Sequence, residues 1–298
     1  MYIVKGKDFI ATDVSSLSQL MNVASDHWVW LDIFHPDEKE LEILTELLGN
    51  EPDVIKKFNK MMEEPLNIHN KGCILCNYER IHEYISVTIP YLGMGKQMPV
   101  YPIVLAKKKR MIITWGEEEH SHSKIVKTTI RRLREGVEAG QDLNSSLVIG
   151  VLFHEIAIRN AGCLFGIRER IDEMEEQALE SGGKHLIHDV FLLKKKISDL
   201  YRLLIEEKDF MLDVDKSVIP FIRLDQKSKP IVNEAIEILD RELDFMDSYN
   251  RTLDSILTLQ DLASIHKVES SINYLTIVLV IGTVILIFFE LLNILEFA

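Results

Sequence analysis

The hydrophobic pattern of this chain changes period once. Up to about residue 140, apolar residues come in short runs that suit strands and short helices. From about Ser145 onward the spacing is helical almost without interruption. In the first part, WVWLDIF at 28–34 predicts a buried strand. His35-Pro36-Asp37 then makes a turn, and Asp37 is placed to cap a helix over 38–48. That helix carries Leu41, Ile43, Leu44, Leu47 and Leu48, and Gly49-Asn50 closes it. A second helix is expected over 53–62, before Pro65. Strands are expected at 72–78, 83–89, 100–106 and 110–115, the last two joined by a lysine-rich turn, and a basic helix at 123–139. Three long helices follow, at 146–180, 185–218 and from about 231. After Pro230 there is no further proline, and Gly282 is the one glycine. Residues 231–289 therefore read as one helix, about 59 residues and roughly 88 Å long at the rise of an α-helix.

The end of that helix changes character. Residues 272–289 (INYLTIVLVIGTVILIFF) carry no charge. At about 1.5 Å per residue they span roughly 27 Å, close to the hydrocarbon thickness of a bilayer, and they lack a polar face. A transmembrane helix is expected here. His266 and Lys267 lie just before it and Glu290 and Glu296 near its far side, which favours a cytoplasmic N-terminal bulk. The start, MYIVKGKDFIATD, holds no apolar run of signal-peptide length, and the ending ELLNILEFA reads as a natural end.

The stalk before the span has register. Leu239, Met246 and Leu253 recur every seven residues with Leu243, Tyr249 and Ile256 between them, until Gln260 interrupts the stripe. Asp240, Asp247, Asp254 and Asp261 share the same period, widened by Glu237 and Asp244. Stacked like charges repel. The face is either solvated, or it opposes another acidic surface across divalent cations, with Asp247, Asp254 and Asp261 as candidate ligands. Hard cations such as Mg²⁺ take carboxylate and water oxygens. The seven-residue spacing continues into the membrane through Glu269, Thr276, Thr283 and Glu290, with Asn273 nearby. Threonines in such helices often bond back to their own backbone. The alternative is a stripe facing a water-filled axis.

Composition narrows the function. The 298 residues hold 47 acidic and 34 basic side chains, a net charge of −13. Such a surface repels phosphate backbones, so no nucleic-acid partner is expected, and it concentrates cations. Three cysteines imply no disulfide framework. Cys73-Ile-Leu-Cys76 is a lone CxxC on an expected strand, where alternation sends the sulfurs to opposite faces. His120 and His122 lie in an acidic loop. His154-Glu155 lacks the second histidine of a zinc-protease helix, and Gly93-Met94-Gly95-Lys96 lacks the length of a phosphate loop. No catalytic constellation emerges, and no enzyme is expected.

Together these motifs resemble the CorA family of magnesium transport proteins over nearly the whole chain. Trp30-Leu31-Asp32-Ile33 followed by His35-Pro36-Asp37-Glu38-Lys39-Glu40-Leu41 is similar to the family's opening "WLDL…P…EEL". Val100-Tyr101-Pro102-Ile103-Val104 and Met111-Ile112-Ile113-Thr114-Trp115 are similar to its strand pair. The helices at 146–218 are similar to its acidic coiled pair, and Asn273-Tyr274-Leu275-Thr276 to the "K-x-L-T" that opens its pore helix. The resemblance implies an α+β fold: an α/β/α cytoplasmic domain (1–145), a helical pair (146–228), a stalk helix (229–271) and a transmembrane helix (272–298). It implies a homopentamer in the inner membrane, with its N-terminal domain cytoplasmic. It also implies Mg²⁺ both as cargo and as regulatory ligand. The first membrane helix would line the pore, here through Asn273, Thr276, Thr283 and Glu290, and cations held between subunits would keep it closed. Two departures stand. The family's Gly-Met-Asn falls about seventeen residues past the Leu-Thr pair, where this sequence reads Asn293-Ile294-Leu295, and the family's second membrane helix has no counterpart in these 298 residues. A non-conducting, tail-anchored cation sensor or scaffold is therefore the alternative expectation.

Overall fold

The computed structural model describes residues 2–5, 8–11, 28–34, 42, 76–81, 84–92, 100–108, 111–116, 119–180, 184–219 and 222–296. Seven strands are described: β1 (Tyr2–Lys5), β2 (Asp8–Ala11), β3 (Trp28–Phe34), β4 (Asn77–Ile81), β5 (Tyr84–Leu92), β6 (Val100–Lys108) and β7 (Met111–Gly116). They form one sheet in the order β2-β1-β3-β7-β6-β5-β4. All neighbours run antiparallel except β3 and β7, which are parallel in the register Val29↔Met111 to Phe34↔Gly116. Four helices are described after the sheet: α1 (Glu119–Glu138), α2 (Ser145–Glu180), α3 (Lys184–Asp215) and α4 (Lys229–Glu296). The fold is α+β with a long C-terminal helix, as expected.

The central strands explain themselves by burial. In β3, Val29, Trp30, Leu31 and Ile33 are buried; in β7, Met111, Ile112, Ile113 and Trp115 are. Consecutive residues point to opposite faces, so both faces of these strands are covered. One polar chain crosses this core. Trp30 Nε1 donates to Thr114 Oγ1 at 2.9 Å, and Thr114 Oγ1 donates to Asp32 Oδ1 at 2.7 Å. Thr114→Val keeps the shape and removes both bonds. It is expected to cost about 2 kcal/mol in urea unfolding; a cost near zero would show that the chain contributes nothing.

Helix ends are set locally. Gly140 adopts φ 86° and Gln141 N donates to Gly136 O at 2.9 Å, which stops α1. Ser217 takes the same left-handed conformation, φ 57°, and Val218 N donates to Asp213 O at 2.9 Å, so α3 ends at Asp215 rather than near 218. Asn144 Oδ1 caps α2 by accepting from Leu147 N at 2.8 Å. Asp225 fixes the start of α4: its Oδ1 accepts from Ser228 N at 2.7 Å and its Oδ2 from Asn144 Nδ2 at 2.7 Å. Burial works against the charge of Asp225, but these hydrogen bonds outweigh it and hold the carboxyl below its usual range.

Several expectations shift. The hairpin β1–β2 was not legible as strands. The strand expected at 72–78 starts only at Asn77, with Cys76 in the bend before it, so the period-two argument for the CxxC does not apply. The acidic loop at 117–122 is helical from Glu119. The helices expected at 38–48 and 53–62 lie outside the described residues apart from Glu42, as do Cys73 and Gly93 to Lys96.

The chain divides into two compact units. The first comprises residues 1–168 and 196–247, and the second residues 169–195 and 248–298.

Candidate functional site

In the second unit, every described residue of α4 from 261 to 288 is exposed, including Leu262, Ile272, Leu275, Ile277, Leu279, Ile285 and Phe288. A water-soluble surface does not leave such a run of large apolar side chains uncovered. This stretch is long and apolar enough to cross a membrane, and it is wholly exposed. By contrast, the less apolar stretch of α2, within 145–178, is mostly buried and is a core helix. The expected transmembrane stretch is thus an unpartnered apolar helix in the single chain.

The proposed pore residues lie on this stretch. Thr276 Oγ1 donates to Ile272 O at 2.8 Å and Thr283 Oγ1 to Leu279 O at 2.9 Å. Each hydroxyl hydrogen is therefore spent on its own helix, while the oxygen keeps a lone pair facing outward. Asn273 is exposed. Glu290 belongs to α4, and its side chain lies outside the described residues.

The acidic positions have company that their spacing did not show. Asp254 pairs with Lys194, and Asp240 with Lys208. The Asp240 hydrogen bond raises the Lys208 ammonium above its usual range, with Asp209 and Asp244 adding to it. In both pairs the aspartate is at least half exposed and the lysine is partly covered, so solvent screens the attraction and the pairs contribute little net energy. Asp247 and Asp261 are exposed. Among the described residues no group of three or more His, Cys, Asp or Glu is assembled to hold a metal within one chain. Of the packing stripe, Leu239, Leu243, Met246, Leu253 and Ile256 are buried, while Tyr249 is only half-buried. Gln260 is buried as well, with its Nε2 unpartnered.

The first unit holds two buried polar groups whose partners the sequence did not show. The first centres on Asn160. Its Oδ1 accepts from Leu92 N at 2.8 Å, while its Nδ2 donates to Pro90 O at 3.2 Å and Glu207 Oε2 at 2.7 Å. This ties α2 and α3 to the end of β5. Cys163 Sγ adds a contact to Leu92 O at 3.4 Å. Glu207 is fully buried, and burial pushes its carboxyl up to about 8 against the Asn160 hydrogen bond. Burial first, then the charges of Glu207 and Glu206, raise the Cys76 thiol well above its usual range, which disfavours a metal-binding thiolate. The second group surrounds His154. Arg132 meets its Nδ1 and donates to Glu155 Oε1 at 2.9 Å; His154 Nε2 lies 3.3 Å from Glu234 Oε2 without hydrogen-bond geometry. Burial opposes the Glu155 charge, but its bonds to His154 and Arg132 hold the carboxyl low. These contacts join α1, α2 and α4, so His154-Glu155 is structural.

The observations so far give an α+β fold whose long last helix carries an apolar, exposed stretch long enough to cross a membrane. The chain belongs to the family described as CorA-like Mg²⁺ transporter protein, whose sequence profile matches residues 25–284. No curated protein sequence matches it. Among solved structures, the complete CorA magnesium transporter of Methanocaldococcus jannaschii superposes with a TM-score of 0.66 at 13% identity, covering 93% of this chain and 81% of that one. The full-length CmaX protein gives 0.66 at 14%, covering 93% and 80%. The ZntB cytoplasmic domain of Vibrio parahaemolyticus gives 0.52 at 11%, covering 80% and 88%. At these identities the likeness to solved structures is one of fold.

Proposed function

We propose that the chain is a subunit of a homopentameric channel for divalent cations, with Mg²⁺ as its first cargo. The observation that carries this reading is the wholly exposed apolar run of α4 in a chain of the CorA-like family. Lipid and neighbouring copies together would cover it. In this arrangement Asn273, Thr276, Thr283 and Glu290 face the axis, the membrane is the inner membrane, and the N-terminal domain is cytoplasmic. Hydrated cations pass the threonine oxygens, driven by about 2.3 kcal/mol per charge per 100 mV of membrane potential. Asp247, Asp254 and Asp261 serve as regulatory Mg²⁺ ligands. Their hard oxygens suit that ion. Among the described residues no complete donor set is assembled within one chain, and further donors complete the shell in this reading. The protein acts as a transporter, not as an enzyme.

The test is Mg²⁺ uptake by liposomes carrying the purified full chain, with cobalt hexaammine as a mimic of the hydrated ion. Uptake that the mimic blocks is expected. A second reading, a non-conducting cation sensor or scaffold, is favoured by Asn293-Ile294-Leu295 standing where the family has Gly-Met-Asn. No uptake by an intact oligomer would establish it and overturn the channel.

A further inference from the structure

The first unit carries two oppositely charged stripes with the same spacing. On α1, Lys124, Lys127, Arg131 and Arg134 are all exposed, while Ile125, Val126, Ile130, Leu133 and Val137 on the other side of the helix are buried. On α4, Glu237, Asp240, Asp244 and Asp247 are all exposed, while Ala235, Ile236, Leu239, Leu243 and Met246 are buried. Both stripes step by three, four and three residues, so each puts four like charges along one helix face, against the exposed opposite charges Glu135 and Glu138 on α1 and Arg241 on α4. The pattern reads the same from either end, so the stripes match whether two helices meet parallel or antiparallel.

Each stripe alone is self-repelling. Compensation inside the chain is partial. Arg131 Nε reaches Glu135 Oε1 only at 3.9 Å, with both side chains well exposed. Among the described residues no ion pair engages Lys124, Lys127 or Arg134, whereas Asp240 has Lys208. The chain as a whole carries −13, so two copies approaching at random repel. A copy that presents its basic stripe to the acidic stripe of another reverses that sign locally, which steers the encounter and sets the register. One chain holding both halves of a complementary pair is what a head-to-tail ring requires.

We infer that the α1 stripe of one copy docks on the α4 stripe of a second copy of this chain, so that the two helices form the subunit contact of the soluble domain. The inference rests on the homo-oligomeric part of the proposed function and names the surface through which the oligomer forms.

The test is charge exchange in the full chain, read as oligomer mass in detergent by light scattering. K127E/R131E is expected to shift the mass toward smaller species at least tenfold in apparent dissociation constant. E237K/D244K is expected to do the same, and the fourfold variant carrying both exchanges to restore the native mass. These positions are exposed, and circular dichroism melting reports whether each variant is folded. Should a reversal fail to fold, the neutral K127Q/R131Q variant is read instead, and its assembly is expected to lose sensitivity to salt between about 50 and 500 mM. An unchanged mass in both reversals, or no restoration in the fourfold variant, would overturn the inference. So would an intact K127E/R131E oligomer that loses affinity for phosphatidylglycerol vesicles, which assigns the basic stripe to lipid headgroups. Charge exchange that works in a protein without Mg²⁺ uptake sinks the channel reading alone. Uptake with inert reversals sinks this contact alone.

Discussion

Glu207→Gln is expected to stabilise the first unit by an amount that grows with pH. At pH 5 the variant and the native chain should melt close together, and by pH 8 the variant should be clearly more stable. The cause is the full burial of Glu207, which raises its carboxyl from an ordinary 4.5 to about 8. Below pH 4 the acid is protonated both folded and unfolded, and titration costs nothing. Between the two values the unfolded chain releases the proton while the folded one retains it, so native stability falls as pH rises. The limiting loss for a shift of this size is roughly 5 kcal/mol. Glutamine keeps an oxygen for the Asn160 amide, which now donates to Glu207 Oε2 at 2.7 Å, and it cannot ionise. The other oxygen, Oε1, is buried and has no hydrogen-bond partner among the described residues. Melting by circular dichroism at pH 5, 6, 7 and 8 measures the gap between the two proteins, which cancels the titration of every other group. A gap independent of pH would show that Glu207 is ionised in the folded chain.

Glu207 also shows where sequence reading stops. It sits in IEEKD, where three acids and a lysine look like any solvated helix face, and nothing local marks one of them as buried. Only the return of α3 to β5 places it against Asn160. Trp30, Leu31 and Ile33 were legible because they belong to a short apolar and aromatic run, WVWLDIF, in which Asp32 is the one polar residue. Leu239, Met246 and Leu253 were legible because their period is that of a packing stripe. The hairpin at Tyr2–Ala11 was not, since YIVK and DFIA are too short to separate strand from loop by pattern. The ion pairs of Asp254 with Lys194 and Asp240 with Lys208 join residues 60 and 32 positions apart, beyond any periodicity argument. They change the chemistry expected of the acidic face. Each of these two carboxylates already has a lysine beside it, which spacing alone does not show.

Replacing both membrane threonines, T276V/T283V, is expected to lower Mg²⁺ uptake at least tenfold while leaving the oligomer and its helix content intact. Valine matches threonine in shape and branching, so the helix keeps its conformation. What changes is the outward lone pair. In the native chain each hydroxyl donates to a carbonyl four residues earlier, at 2.8 Å for Thr276 and 2.9 Å for Thr283, and its oxygen stays free to accept from a passing water. A hydrated divalent cation presents water hydrogens outward, so two turns of acceptors suit its shell, whereas valine methyl groups form an apolar constriction that favours dewetting. A tenfold slowing corresponds to about 1.4 kcal/mol on the barrier, the scale of one or two lost hydrogen bonds. Serine at both positions keeps the oxygen and should retain most of the flux. Uptake in liposomes at fixed potential, with oligomer mass as the control, distinguishes the outcomes. If the valine pair conducts like the native chain, the threonine stripe does not face the axis, and the back-bonded hydroxyls serve only their own helix.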